Sequence, residues 1–248
     1  MPSPATARSS SWHKREDSRP ATCRPRLDAG QLEAVSGSHV LGLFNSGNLS
    51  LEWSGDPATP SPGSGLPNGQ SCVEDRRPPN EPSLAAMTSK AIELLQEDED
   101  RGKGSRGFFL QVEGASIDKQ DHANRPSEQI GETIAFDQAI RVGLEFARRH
   151  PDTLIVVTAD HAHTSQIVPV PSATDLSRPG ALSTLLTKVD RSKMTISYAT
   201  RIVTPTSSQD HTGAQVRIAA QGPQAANVVG VTDQTDLFHT LARALGIE

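Results

Sequence analysis

The chain contains 248 residues, which is enough for one α/β domain with a sizeable hydrophobic core. Its formal net charge of -5 and its aromatic content of 4% argue against a nucleic-acid-binding protein, which needs basic surfaces and stacking rings. The sequence has no run of about 18 apolar residues, so no membrane-spanning segment is predicted.

Residues 1–27 are rich in Ser, Arg and Pro and show almost no apolar periodicity, so we predict that they are disordered or unrelated to the rest. The N-terminal stretch MPSPATARSSSWHKRED is basic, but no apolar stretch follows it, and no secretory signal is predicted. Residues 28–248 are predicted to form the folded part. Within them, the apolar run Val40–Phe44 predicts a buried strand, and residues 54–82 predict a long irregular connection.

Clear periodicity begins at Ser83, which is predicted to open a helix. The later predicted elements are, in chain order, a strand over 108–112, a helix over 131–149, strands over 153–158, 195–198 and 216–220, and a helix over 234–245. The 153–158 run is apolar without alternation, which is typical of a strand covered on both faces. Its place after a strand and a helix favours a βαβ crossover. The predicted fold class is therefore α/β, with a mostly parallel sheet flanked by helices.

The chain has two cysteines, Cys23 and Cys72, and neither lies in a CxxC motif or a Cys/His cluster. We interpret them as two unrelated thiols, because spacing alone does not establish a disulfide. Thiolate-bound zinc is disfavoured, so any metal in this protein must be bound by nitrogen and oxygen atoms.

Side chains suited to metal binding follow two of the predicted strands. Asp118 and His122 are four residues apart, which places them on one face if this stretch is helical. A carboxylate and an imidazole joined by a distant histidine, such as His211, form a three-ligand zinc set with room for water or substrate.

Asp160 and His161 directly follow the 153–158 strand, at the edge where ligands collect in open α/β sheets. Glu113 offers only oxygen, which suits Mg²⁺ better than zinc, and His163 is better placed to orient a ligand than to be one. Each residue alone also has an ordinary structural interpretation, such as a surface pair, a turn cap for Glu113 or a solvated charge for Lys119. Spacing by itself leaves both interpretations open.

Three segments resemble the metal-bearing motifs of bacterial alkaline phosphatases. These are QVEGASIDKQDH, TADHAH and QDHTG, in this order along the chain. The resemblance continues through KAIELL, EQIGET, VRIAAQGPQAANVVG and TDQTDLF, and covers about residue 28 to the C-terminus. It implies a phosphate monoester hydrolase with two zinc ions, one magnesium ion and a covalent phosphoserine.

The resemblance also implies a role for each matched residue. Asp118, His122 and His211 are expected to hold the first zinc, Asp160 and His161 to supply part of the second zinc site, and Glu113 to bind magnesium. Lys119 is expected near the phosphate, and His163 behind a zinc-bound carboxylate.

The chain departs from the family at the nucleophile. The family's serine lies in an Asp-Ser-Ala context, and no such segment occurs here, since Asp17 and Ser18 are followed by Arg19 and Pro20. The chain also lacks three other features of the family: an early strand with a metal-bridging aspartate, a magnesium-binding threonine and a phosphate-clamping arginine. We therefore expect the N-terminal strands of the sheet to be absent. Ser127 stands where relatives often carry a cysteine that pairs with one matching Cys72.

We therefore expect a fragment of an alkaline phosphatase that is inactive alone, with possible homodimerisation. The family implies a periplasmic location, although nothing in this chain predicts export. The alternative is a non-catalytic metal-binding or interaction module derived from the same fold. A cofactor-independent phosphoglycerate mutase of the wider superfamily is disfavoured by the extended match to TDQTDLF and QGPQAANVVG.

Overall fold

A computed structural model describes residues 28–37, 39–60, 68–75, 77–100, 107–170, 180–200 and 208–247. The prediction made for residues 1–27 lies outside these described residues. The helices are α1 (Ala29–Ala34), α2 (Leu84–Asp100), α3 (Ser116–His122), α4 (Pro126–Arg149), a short 3-10 helix (Ala225–Val228) and α5 (Asp236–Ala244). The strands are β1 (Trp53–Ser54), β2 (Thr59–Pro60), β3 (Val73–Glu74), β4 (Ile155–Val157), β5 (Gln166–Val168), β6 (Ala181–Leu186), β7 (Lys193–Tyr198) and β8 (Ala219–Gln221).

The two long helices confirm the prediction from apolar periodicity. Helix α2 begins after Ser83, whose Oγ accepts a hydrogen bond from the Ala86 N–H over 3.1 Å and so caps the helix. Helix α4 begins at Pro126, five residues before the predicted start, because proline suits the first turn of a helix. Helix α2 and the site-bearing helix α3 both pack against α4, which is the structural support of the candidate site.

A four-stranded sheet with the order β2-β6-β7-β5 holds much of the apolar core. Strand β7 confirms the strand predicted over 195–198, and it pairs along its whole length with β6, which we did not predict. The residues of β6 from Ala181 to Leu185 are all buried, so the alternation that marks a half-exposed strand is absent from its sequence. Tyr198, at the end of β7, is fully buried and matters for the site described below.

The helices and sheets agree with the predicted α/β class, but the ladders differ from the parallel pairing we expected. All strand ladders among the described residues are antiparallel, including that of β4 with β8. The described part of the chain places no parallel neighbour beside β4, so the predicted βαβ crossover is not formed there. Strand β4 still leads into Asp160 and His161, as predicted.

Two predicted strands are wrong. Residues 40–44 and 108–112 have no regular secondary structure, and within the described ranges neither forms a strand ladder. A strand exists only where its backbone groups find a neighbouring strand, and apolar side chains do not guarantee that neighbour. Each segment is instead held by one aromatic side chain: Phe44 packs in a small cluster with Leu32, and the Phe108 ring lies 6.0 Å from that of Phe146.

None of the helices in the described ranges is both long and apolar enough to cross a membrane.

Cys72 is a free, half-buried thiol. The Ser127 hydroxyl, which is fully buried, donates a hydrogen bond to its sulfur over 2.9 Å. The two side chains therefore already face each other in direct contact, and a disulfide between these positions needs the two sulfurs to come to about 2 Å.

Replacing Ser127 with Cys is expected to form a disulfide with Cys72 under oxidising conditions. The bond would close a long loop in the unfolded chain and raise the free energy of unfolding by about 2–4 kcal/mol. Peptide mapping identifies the bond, and urea unfolding with and without reductant measures the gain. Ser127→Ala is the control, and persistence of both thiols in the oxidised Ser127→Cys protein would contradict the predicted geometry.

Candidate metal centre

Helix α3 presents the first two side chains of the site. Asp118 and His122 lie one turn apart on the same face, and the His122 Nε2 atom is 3.4 Å from Asp118 Oδ1. This confirms that the stretch is helical, which was the condition attached to the i, i+4 spacing. The helix is short, and its placement depends on α4 and on the chain segment that follows residue 207.

The segment that carries His211 is tied to both other parts of the site by backbone hydrogen bonds. The Gln209 N–H donates to the carbonyl oxygen of His122 over 3.0 Å, and the Thr212 N–H donates to the carbonyl oxygen of Ala162 over 3.0 Å. His211 lies between these two anchors. Its Nε2 atom is 3.1 Å from Asp118 Oδ1 and 3.0 Å from His122 Nε2.

Two more histidines come from the loop after β4. The His163 Nε2 atom lies 3.5 Å from Asp118 Oδ1, and the His161 Nε2 atom lies 3.9 Å from it. One ligand atom from each of Asp118, His122, His163 and His211 lies within 4.8 Å of the others. The structure thus brings together residues that are far apart in the sequence, as a metal site requires.

Hydrogen bonds indicate which ring nitrogens can bind a cation. His122 Nδ1 faces the carbonyl oxygen of Gln209, which can only accept, so Nδ1 carries the hydrogen and Nε2 keeps a free lone pair. His163 Nδ1 accepts from the Thr164 N–H over 2.8 Å, so in the neutral ring the hydrogen is on Nε2 and points towards Asp118. This arrangement suits His122 as a ligand and turns the His163 Nε2–H towards the carboxylate, 3.5 Å away.

Burial shifts the pKa of two groups beside the cluster. Burial, together with the neighbouring His122, lowers the pKa of His163 to about 4, so this ring is neutral near pH 7. Burial raises the pKa of Asp121 to about 6, partly opposed by the hydrogen bond from Ser165. Neutral imidazole is the form that binds a metal or donates one hydrogen bond to a carboxylate.

The donor set fits a divalent cation. One carboxylate and imidazole nitrogens with free lone pairs are ligands that zinc commonly takes in proteins. Within the described residues, the buried atoms His161 Nδ1, His163 Nε2 and Asp121 Oδ1 have no hydrogen-bond partner. Unsatisfied buried polar atoms are costly, and their concentration around one point is typical of a functional site.

The other predicted residues are less closely held. The Asp160 side chain is 83% exposed, with its Oδ2 3.5 Å from His161 Nε2, and the His161 ring stacks on His211 with centroids 3.6 Å apart. Glu113 is exposed and is not part of the four-residue cluster. Lys119 Nζ donates to Asn48 Oδ1 over 2.7 Å, so Asn48 is a neighbour that sequence reasoning missed. The roles given to these residues in the sequence analysis stay predictions.

Sequence reasoning also missed Asp121 and Gln209. Gln209 is fully buried and acts through its backbone carbonyl, which no side-chain pattern reveals. Asp121 lies on α3 between two predicted ligands and is 3% exposed. A buried carboxylate beside a metal motif is a signal that could have been read, since aspartate is rarely buried without a partner.

In metal-free protein, Asp121→Asn is expected to make the free energy of unfolding fall more steeply as pH drops from about 6 to about 4. The folded-state pKa of His163 is about 4, below its usual 6.5, so its contribution is present above pH 6.5 and lost as pH falls through 4. The pKa of Asp121 is about 6, above its usual 3.8, so its contribution is present below pH 3.8 and lost as pH rises through 6. The two slopes cancel in the wild type, and removing the Asp121 contribution exposes up to about 1.4 kcal/mol per pH unit.

Urea unfolding in the presence of a chelator measures this slope at several pH values between about 4 and 6. Asp137→Asn is the matched control, because Asp137 is an exposed partner of Arg141 on α4 and is remote from the histidines in sequence. An Asp121→Asn slope equal to that of the control would show that the two opposing contributions are absent.

Comparison with known proteins shows which family this chain resembles. A family model for alkaline phosphatase matches residues 12–199 and 172–247. An alkaline phosphatase of Escherichia fergusonii is 50% identical over 225 residues, which cover 89% of this chain and 45% of the relative. Alkaline phosphatase H of Pseudomonas aeruginosa is 50% identical over 84% of this chain and 41% of its own length.

A streptomycin-6-phosphate phosphatase of Streptomyces griseus is 44% identical over 89% of this chain and 47% of its own length. The crystal structure of a cold-active alkaline phosphatase from Shewanella sp. superposes with a TM-score of 0.57 at 21% identity, over 88% of this chain and 58% of that one, and shows that the fold is shared. The chain spans about half the length of the curated relatives it matches. On the family match and these identities, the chain belongs to the alkaline phosphatase family.

Proposed function

We propose that this chain forms the metal-binding part of a phosphate monoester hydrolase that uses zinc and magnesium. The observation that carries the proposal is the convergence of Asp118, His122 and His211, from two distant segments, to contacts of 3.0–3.4 Å between their ligand atoms. Relatives named as alkaline phosphatases support the reaction class. Zinc, magnesium and the roles below are our assignments.

In this proposal Asp118, His122 and His211 hold one zinc ion. Asp160 and His161 supply part of a second zinc site, and Glu113 is a magnesium ligand. Zinc bound in such a site supplies positive charge that stabilises the oxygen of the leaving alcohol. The periplasmic location and the homodimer that the family implies are part of the proposal and rest on the resemblance alone.

The residues of the chain itself prepare the site for that chemistry. The Gln209 carbonyl holds the His122 ring so that Nε2 faces Asp118 and His211. The His163 Nε2–H faces Asp118 Oδ1 across 3.5 Å, so its positive end lies beside the carboxylate without a hydrogen bond between them. Lys119 contributes a positive charge on the exposed side of α3, where it can attract the phosphoryl group.

The chain does not supply the nucleophile. Its 248 residues contain no Asp-Ser-Ala segment, the context in which the family's serine lies. A well-positioned nucleophile is needed for covalent phosphoryl transfer, and positioning accounts for much of its catalysis. We therefore propose that the isolated chain does not turn over phosphate monoesters. The same observation supports the alternative function, a non-catalytic metal-binding or interaction module.

Zinc binding is expected at about one tightly held ion per chain, and His211→Ala is expected to weaken it by at least about 100-fold. Removing one of three protein ligands removes a coordination bond and leaves only Asp118 and His122 to bind the ion. Isothermal titration calorimetry with zinc and elemental analysis measure affinity and stoichiometry. His239→Ala is the matched control, because His239 is exposed on α5. Failure of the wild-type chain to bind zinc would refute the proposed function.

Purified chain with zinc and magnesium is expected to hydrolyse p-nitrophenyl phosphate no faster than buffer containing the same metals. Release of p-nitrophenolate at alkaline pH measures the rate, and the full-length Escherichia fergusonii relative serves as the positive control. Robust hydrolysis that disappears in His211→Ala would show that the chain has a nucleophile of its own, and would exclude both inactivity and the non-catalytic alternative.

A further inference from the structure

A chain of partly buried hydrogen bonds connects the end of β7 to helix α3 through one glutamine. The hydroxyl of Tyr198, which is fully buried, donates to Gln129 Oε1 over 2.9 Å. The Gln129 amide nitrogen in turn donates to Asp121 Oδ2 over 2.7 Å and to Ser165 Oγ over 2.9 Å. The Ser165 hydroxyl donates to the same Asp121 oxygen over 2.9 Å.

This arrangement leaves the Gln129 amide little freedom. The ionised Asp121 carboxylate can only accept, so it requires the NH₂ side of the amide, and the Tyr198 hydroxyl then faces the amide oxygen. Since Asp121 is 3% exposed, water cannot easily replace a lost donor. Helix α4, which carries Gln129, also packs directly against α3, so the amide acts between two helices already in contact.

Asp121 connects this chain to the candidate ligands. It lies on α3 three residues after Asp118 and directly before His122. Its second oxygen, Oδ1, is 3.5 Å from His163 Nδ1, and the far side of the His163 ring is 3.5 Å from Asp118. A displacement of Asp121 therefore moves the helix that bears two ligands and changes the negative charge beside the His163 ring.

We propose that Gln129, held by Tyr198, is a positioning residue that sets the geometry of the Asp118, His122 and His163 group by clamping Asp121. The inference rests on the proposed zinc binding by Asp118, His122 and His211. Gln129 contacts none of the three candidate zinc ligands in the hydrogen bonds described, so it acts through Asp121. Partners that orient metal ligands from outside the coordination sphere typically change metal affinity by about 10–100-fold when they are removed.

The test compares zinc dissociation constants of the full chain carrying Gln129→Leu or Gln138→Leu. Gln138 lies on the exposed face of the same helix, so the second variant makes the same chemical change away from the cluster. Gln129→Leu is expected to raise the dissociation constant about 10–100-fold, and Gln138→Leu to leave it unchanged. Equal affinities of the two variants, with wild-type binding intact, would overturn the positioning role.

Tyr198→Phe separates positioning from a general loss of stability. Because Tyr198 reaches Asp121 through Gln129, the two substitutions are expected to be non-additive: the double variant should bind zinc no more weakly than Gln129→Leu alone. Fully additive losses would contradict action in series. If near-ultraviolet circular dichroism shows Gln129→Leu unfolded, Tyr198→Phe carries the test, with an expected loss of roughly fivefold and unchanged affinity as the contrary result.

A spectroscopic readout in metal-free protein is independent of binding. Two-bond ¹H–¹⁵N spectra of the imidazoles report which nitrogen of His163 carries the hydrogen. Wild type and Gln138→Leu are expected to show the Nε2–H form, and Gln129→Leu a mixture of tautomers. An unchanged pattern in folded Gln129→Leu would count against the proposal. If the wild-type chain binds no zinc, the proposed function fails together with this inference, whereas equal binding by folded variants removes only the inference.

Discussion

The site depends on the attachment of residue 209 to His122. The backbone of Gln209 donates to the His122 carbonyl, and the His122 ring donates back to the Gln209 carbonyl, so two segments 87 residues apart are joined twice at one point. The first bond fixes the position of the segment against α3, and the second fixes the orientation of the His122 ring. His211 follows two residues later and can reach Asp118 only because this attachment is fixed.

Around this attachment lies a buried polar layer whose hydrogen bonds are largely satisfied. The Gln209 side-chain oxygen accepts from the Thr200 N–H and hydroxyl, and the Thr164 hydroxyl oxygen accepts from the N–H groups of Ala199 and Thr200. Satisfied polar networks in low dielectric are rigid and specific. Among the described residues, unsatisfied buried atoms occur at His161, His163 and Asp121, where a cation can compensate them, and also at Asn124 and Glu128. Part of the electrostatic cost of the fold therefore lies at the candidate metal centre.

How far the sequence predicted this structure depended on whether the deciding interaction was local. Helix α4 follows from spacing along the chain, and the ligands at the ends of α3 and β4 follow from polar residues after apolar runs. The strands at 40–44 and 108–112 failed because a strand needs a distant neighbour, which periodicity cannot supply. A strand was predicted over 216–220, where β8 lies, but its antiparallel pairing with β4 was not predicted, and neither was the role of the Gln209 carbonyl. Neither feature leaves a local mark in the side-chain pattern.

The two proposed zinc sites differ in the number of ligands that the described residues provide. This difference bears on function. Asp118, His122 and His211 give three donors, the number that a zinc site with an open position takes from protein. Asp160 and His161 give two, and the carboxylate of Asp160 is 83% exposed. Two donors fall short of a stable zinc site, so the second ion needs ligands beyond this pair. A second zinc ion held in part by Asp160 and His161 would supply positive charge that activates a serine nucleophile, and the sequence lacks the Asp-Ser-Ala segment in which the family's serine lies. In the proposed function, the ligands and the nucleophile that this chain lacks would therefore act together in the attack on the phosphorus atom.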